Sequence, residues 1–371
     1  MFNLENQNKN MNKYFVIGLM SGTSLDGLDI AYCEFDFSSP TIDYIIIEAE
    51  TIEYSIEWKT IFTNLEQSSG LYFAEWDRKI GAYFGDEVQK FISKYEIERV
   101  DFVASHGHTI FHQPASGFTV QVGHGASLSA ACNLPVVCDF RSLDVALGGQ
   151  GAPLVPIGDH LLFKDYSYCL NLGGIANISY QNGAQRIAFD VCPANMVLNF
   201  LVNKIGLAYD KGGELASEGN INADLLTALN GLEYYELKAP KSLGREWVFD
   251  EFIAIVEQAT ISLEDKLATI CEHIAIQIEY STNDLIKNKS GNDTLLATGG
   301  GAFNLYLMER IKMQMSEHCQ LIIPDEKTVK FKEALIFALL GVLRWRNEVN
   351  SLSTVTGASK DSVGGCIYFI E

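Results

Sequence analysis

A run of small and polar residues from Gly18 to Gly27 carries the first chemistry in this 371-residue chain. Gly18, Gly22 and Gly27 let the backbone come close to a ligand, and the hydroxyls of Ser21, Thr23 and Ser24 offer hydrogen bonds. Successive amides in such a turn can form an anion-binding nest. Asp26 would repel a bare phosphate, so its presence suggests a magnesium ion between the two, held directly or through water. A plain polar hairpin turn is the alternative. Gly22, Thr23, Ser24, Leu25, Asp26 and Gly27 are the phosphate-binding candidates here, with Asp26 the metal ligand. A second glycine pair, Gly173-Gly174, and a third cluster, Gly299-Gly300-Gly301, offer the same close approach. The third cluster follows an apolar run at 294–297 and precedes a helix expected from about Phe303, where amides at a helix N-terminus can meet a phosphate or ribose.

Histidines and charges make two further groups. His106, His108 and His112 cluster at the end of a short buried strand expected over 101–105. They read as metal ligands or as a polar loop at a strand's carboxyl end, the place where α/β proteins bind substrates. No cysteine or second acidic residue nearby completes a tetrahedral zinc set, which disfavours the metal. Asp139, Arg141 and Asp144 follow an expected strand at 136–140, and either face a cleft or pair with one another. The loop Gly148-Gly149-Gln150-Gly151 beyond them suits a ligand or a hinge between domains.

The elements that must hold these residues follow from periodicity. Apolar runs at 14–17 and 28–35 flank the first glycine turn, and a third strand starts at Ile42. Runs at 166–172, 175–180 and 186–191 flank the second, with Asn182-Gly183 as a hairpin signal. Two meanders with glycines in the first turn read as a duplicated unit. Residues 56–95 repeat apolar positions at helical spacing, for example Phe73, Trp76, Ile80, Phe84, Val88 and Phe91. Further helices are expected at 196–205, 220–229, 263–280 and 332–347, with Glu333 at the start of the last. Strands are expected at 320–324 and 366–370, and 241–246 reads as a polar connector able to reach a cleft.

Composition narrows the function. Lys+Arg 27 against Asp+Glu 47 gives a net charge of −20, which argues against nucleic acid and anionic membrane as partners. A nucleotide can still bind locally through backbone amides and Mg²⁺. No apolar run approaches the ~20 residues of a membrane span. The Asn-rich start reads as a loose tail without a signal core, so a cytoplasmic location is expected. The eight cysteines show no C-x-x-C and read as reduced core residues.

Two glycine hairpins plus a strand, three glycines and a helix resemble the sugar kinase, Hsp70 and actin superfamily. The longer words resemble one family within it, the anhydro-N-acetylmuramic acid kinases of bacterial cell-wall recycling. They are GLMSGTSLDG at 18–27, SHGHT at 105–109, DFRSLD at 139–144, GGQGAPLVP at 148–156 and NLGGIANIS at 171–179. FDVCPANM at 189–196, PKSLGRE at 240–246, TGGGAFN at 298–304, EALIFALL at 333–340 and TVTGA at 354–358 continue the match.

The resemblance implies an α/β, two-domain actin/Hsp70/hexokinase-like fold of ribonuclease H-like halves with a cleft between. The expected lobes are 1–135, with 1–12 a loose tail and 366–370 packing back on it, and 136–371. It also implies ATP and Mg²⁺ as cofactors, an amino sugar as substrate, and opening of the 1,6-anhydro ring with phosphate placed on O6. A homodimer is compatible with this reading. Carried over from the family, Asp190 is the general base; Glu333, at its expected helix start, is a lesser catalytic candidate for orienting the same water. His108, Thr109, Asp139, Arg141 and Asn195 contact the sugar. The chain departs from the family where a glutamine is His108, where the aspartate after Gln-x-Gly is His124, and where two glycines are Cys192 and Ala194; these bear on sugar preference. A sensor of the same fold that binds sugar and ATP with weakened turnover is the alternative.

Overall fold

The computed structural model describes residues 12–370 except 184, 240, 287–292, 316 and 318. The expected tail therefore lies outside the described residues save Asn12, as does Pro240 of the PKSLGRE word. The chain forms two compact units, one running to Leu162 and resuming at Phe331, the other spanning Phe163–Lys330.

In the first unit β1 (Lys13–Ser21) is buried almost throughout, as a central strand must be, and pairs antiparallel with β2 (Gly27–Asp36). β2 pairs with β3 (Asp43–Glu53), also antiparallel. On its other side β1 runs parallel to β4 (Phe102–Gln113), which pairs parallel with β6 (Val136–Cys138) and antiparallel with β5 (Phe118–Val122). The helices Ile56–Leu65 and Gly70–Lys94 start at Ser55 and Ser69, whose side chains accept amides of the first turn. They bury Phe62, Leu65, Ile80, Phe84, Val88 and Phe91 against this sheet.

The second unit repeats the plan. β7 (Tyr168–Leu172) is central, with β8 (Ile175–Asn182) and β9 (Gln185–Pro193) antiparallel on one side. β10 (Asp293–Thr298) and β11 (Cys319–Ile322) run parallel on the other. The helix Leu263–Ile286 buries Leu267, Ile270, Cys271, Ile274 and Ile278, a stripe at three- and four-residue spacing. Strand orders β3-β2-β1-β4-β6 and β9-β8-β7-β10-β11 are the same five-stranded topology with the same strand directions. The duplication expected from the two meanders is present, and each half is ribonuclease H-like, as the actin/Hsp70/hexokinase-like fold requires.

The boundary between units differs from the sequence expectation at 135/136. Val136–Cys138 completes the first sheet as β6, and the last strand, β12 (Cys366–Tyr368), pairs antiparallel with it. The chain returns inside the helix Glu326–Trp345, whose Ala334 carbonyl oxygen stands where a Cβ on Gly18 would have to go. Glycine at position 18 is thus required by helix-on-strand packing. The same helix begins seven residues before Glu333 by number, so that carboxylate sits within it and not at its start. Among the described residues no helix is long and apolar enough to cross a membrane.

Candidate active site

Space, or its absence, sorts the candidate glycines. Gly27 lies inside β2, where a Cβ would collide with the Ile52 carbonyl oxygen. Gly299 has φ 85°, and a Cβ there would meet Asn171 Oδ1 at 2.5 Å; one on Gly301 would meet Leu172 Cβ at 2.7 Å. Packing alone demands glycine at these positions. At Gly22, Gly173, Gly174 and Gly300 the atoms nearest to an added Cβ would be 3.5–3.7 Å away, so packing leaves room for a side chain. Small residues kept where the fold does not need them are the ones that suit close approach by a ligand.

The Gly22–Asp26 turn of the first unit exposes Thr23, Ser24 and Asp26. Leu25 takes φ 59°, a left-handed conformation uncommon for a residue with a Cβ and a mark of functional loops. Ser21 Oγ, at the turn's start, is 2.6 Å from the Tyr54 hydroxyl and 2.8 Å from His108 Nδ1. Sequence reasoning missed Asp29, two strand positions beyond Gly27. Burial pushes its carboxyl up to about 6, the neighbouring charges of Glu333 and Asp26 add to this, and the Thr51 hydroxyl at 2.5 Å opposes it. The available signal was a carboxylate three residues after Asp26, within the apolar run that follows the turn.

The histidines stand in a strand, correcting the expected loop. β4 runs on to Gln113 because β5 pairs with it through His112, with an irregularity between Thr109 and Phe111. His108 packs with its ring centre 4.2 Å from that of Phe62, and burial lowers its imidazole to about 4, so it is neutral. His106 donates from Nδ1 to the Gly107 carbonyl at 2.9 Å and accepts from Arg141 Nε at 3.0 Å, which assigns its neutral tautomer. Burial and then the Arg141 charge hold it well below the ordinary histidine range. Among the described residues no group of three histidine, cysteine or acidic side chains could hold a metal.

Asp139, Arg141 and Asp144 part company. Asp139 is exposed, holds the Ser142 hydroxyl at 2.5 Å and lines a 160 Å³ pocket with Asp77, Gln121 and His124. Arg141 Nη1 donates to the Gly151 carbonyl at 2.6 Å, and burial lowers its guanidinium to about 10, opposed by Glu333 and Asp144. His124 caps the helix Gly125–Cys132 by accepting Ser127 N–H. Asp144 is buried and accepts from Gly151 N at 2.8 Å, Ser351 Oγ at 2.8 Å and Thr356 Oγ1 at 2.7 Å. These bonds tie the glycine loop down inside the first unit. Asp144→Ala strands three donors around a buried gap, and is expected to cost about 3–5 kcal/mol in urea unfolding. A loss under about 1 kcal/mol would overturn the anchor role.

In the second unit, Ala194, Asn195 and Met196 donate their amides to the Gly173 and Gly174 carbonyls. Asn195 Nδ2 donates to the Leu172 carbonyl at 2.9 Å, and its Oδ1 would lie 3.2 Å from a Cβ on Gly301. Asn195 therefore braces the glycine hairpin against the three-glycine loop. Beyond that loop the expected helix from Phe303 is a short 3-10 turn, Gly300–Phe303, followed by the helix Leu305–Gln314 capped by Asn304.

Asp190 sits beside a β-bulge. Ala176 pairs with Cys192 and Asn177 with Asp190, leaving Val191 without a partner on β8. A bulge of this kind re-aims a side chain at a strand end. Oδ2 accepts from Leu243 N at 2.8 Å, while among the described residues Oδ1 has no hydrogen-bond partner. Burial raises the carboxyl above its ordinary value and the Leu243 N–H bond opposes the rise. A half-buried carboxylate with one open oxygen can take a proton.

Comparison with known proteins gives the family. Residues 14–370 match the family model described as anhydro-N-acetylmuramic acid kinase. A protein of that name from Francisella tularensis subsp. novicida (strain U112) is 34% identical, covering 97% of this chain and 100% of its own length. One from Clostridioides difficile (strain 630) is 35% identical over 95% of this chain and 98% of its own. One from Sulfurimonas denitrificans is 32% identical over 95% and 99%.

Proposed function

The chain belongs to the anhydro-N-acetylmuramic acid kinase family, and from that premise we propose that it phosphorylates O6 of 1,6-anhydro-N-acetylmuramic acid at the expense of ATP. Water opens the anhydro ring in the same reaction, and the product is N-acetylmuramic acid 6-phosphate. Asp190 takes a proton from the water that attacks C1. The C1–O6 bond breaks, its electron pair stays on O6, and O6 attacks the γ-phosphorus as ADP leaves. The observation that carries this reading is the bulge-positioned Asp190 carboxylate with Oδ1 open. Its raised affinity for protons supports a base working nearer neutrality than an exposed aspartate. Glu333 is the second catalytic carboxylate in this proposal.

Gly22, Thr23, Ser24, Leu25 and Asp26 bind phosphate in the first unit, and Gly173, Gly174 and Gly300 approach the nucleotide in the second. His108, Thr109, Asp139, Arg141 and Asn195 are assigned to the sugar. A magnesium ion fits the donor set, since this cation takes one or two carboxylates and completes its shell with water and phosphate. Asp26 and Asp29 would hold it; burial first, and then the Glu333 and Asp26 charges, raise the Asp29 carboxyl, and a cation there would offset those charges. When bound, the ion would neutralise charge on the phosphates.

Product analysis tests the proposal. With ATP and the anhydro sugar, the product gains one water and one phosphoryl group, and reaction in ¹⁸O-water labels C1 and not the phosphate. Gain of water alone makes the chain a hydrolase. Ligand binding without any product makes it a sensor.

A further inference from the structure

A closed ring of hydrogen bonds surrounds Asp190 and has no part in the fold of the sheet itself. Asp190 N donates to the Lys241 carbonyl at 3.1 Å. Lys241 Nζ donates to the Tyr234 carbonyl at 3.2 Å and stands 4.4 Å above the Tyr234 ring centre. The Tyr234 hydroxyl returns the chain of contacts to Asp190, donating to its backbone carbonyl at 2.7 Å. Leu243 N, two residues after Lys241, donates to Oδ2 at 2.8 Å. Tyr234 and Leu243 are buried and Cys192 beside them is fully so, which keeps competing water from these bonds.

The ring matters because Asp190 lies where the ladder with β8 has slipped. Asp190 itself pairs with Asn177, but its neighbour Val191 has no partner on β8, and a carboxylate beside that gap could otherwise rotate to offer either oxygen. Here both backbone groups of Asp190 are bonded to the 234–241 segment, and the next residues of that segment occupy one oxygen. We infer that Tyr234 and Lys241 are positioning residues that hold Asp190 against residues 241–243, so that Leu243 N–H takes Oδ2 and Oδ1 alone receives the proton. The inference rests on the base role proposed for Asp190. The titratable groups that feel that carboxylate are Tyr234 from the segment and the Cys192 thiol from β9, while the Lys241 ammonium feels Cys192. Burial raises both the phenol and the thiol above their ordinary values, so neither carries charge near neutrality. Burial lowers the Lys241 ammonium.

Two variants and two readouts test it. Tyr234→Phe removes the hydroxyl link and keeps the ring under Lys241; Lys241→Met removes the ammonium and keeps the stem. Each should lower kcat about tenfold, the size of one lost hydrogen bond at a positioned group, with KM for ATP and sugar unchanged. A loosened Leu243 bond favours the protonated acid, so the acid limb of kcat should move to higher pH by about half a pH unit. The ¹³C titration of the Asp190 carboxyl, assigned by its absence in Asp190→Asn, should move the same way. That titration needs no turnover: if the wild-type chain transfers no phosphate, the proposed function falls while the titration still decides the clamp. An unmoved titration overturns it, whether kcat falls or stays. So does a loss of melting temperature with kcat and titration both unchanged, because the role would then be structural only.

Discussion

Asp190→Asn should reduce phosphate transfer by roughly 10²–10⁴-fold, the usual worth of a general base, with ATP and sugar binding intact. The substitution is close to isosteric, and the structure says what it keeps. An asparagine can offer its carbonyl oxygen to Leu243 N–H as Oδ2 does now, and its amide then stands where the open Oδ1 stands. A group that accepts a proton is replaced by one that cannot. The competing role, a cap for the following helix, is removed by the geometry. The helix Asn195–Asn203 has Ala194 at its cap position and no side-chain cap bond. Stopped-flow or coupled assay of ADP release, together with calorimetric affinities for each ligand, separates chemistry from binding. Near-native turnover in this variant would end the assignment.

Gly300→Val should weaken ATP binding on the order of tenfold, about 1.4 kcal/mol, while the melting temperature stays near the wild-type value. Its neighbours could not serve in this test. Gly299 holds a left-handed φ of 85° and abuts Asn171 and Leu172, and Gly301 abuts Leu172, so a side chain at either disturbs the loop itself. Gly300 is exposed, has no left-handed φ, and finds nothing nearer to a Cβ than Asn195 Nδ2 at 3.7 Å. A β-branched side chain there fills the space that a ligand would use. Unchanged ATP affinity in a folded Gly300→Val protein would remove the three-glycine loop from the nucleotide site.

Much of this arrangement is legible in the order of the residues. Alternating or continuous apolar runs broken by Gly-rich turns announce two meanders, and both appear with the same strand order. A strand's end is less legible, because it depends on a partner elsewhere in the chain. β4 continues past Ser105 because β5, itself unread, pairs with His108 and beyond. A charge after a strand either faces a cleft or pairs with its neighbours, and for Asp144 only its three buried donors reveal an anchor.

Residue order alone settles the family and the duplicated fold and makes Asp190 a candidate, because those are carried by local words and by periods of two and near four residues. The packed chain settles which atoms of those words are free to act. Whether a glycine is demanded by packing depends on a carbonyl from another element, such as Ala334 against Gly18. Which oxygen of Asp190 is open depends on a one-residue slip between β8 and β9 and on Leu243, distant along the chain. Hydrogen-bond partners and close contacts are pairwise in space, and no local pattern of residue types encodes them.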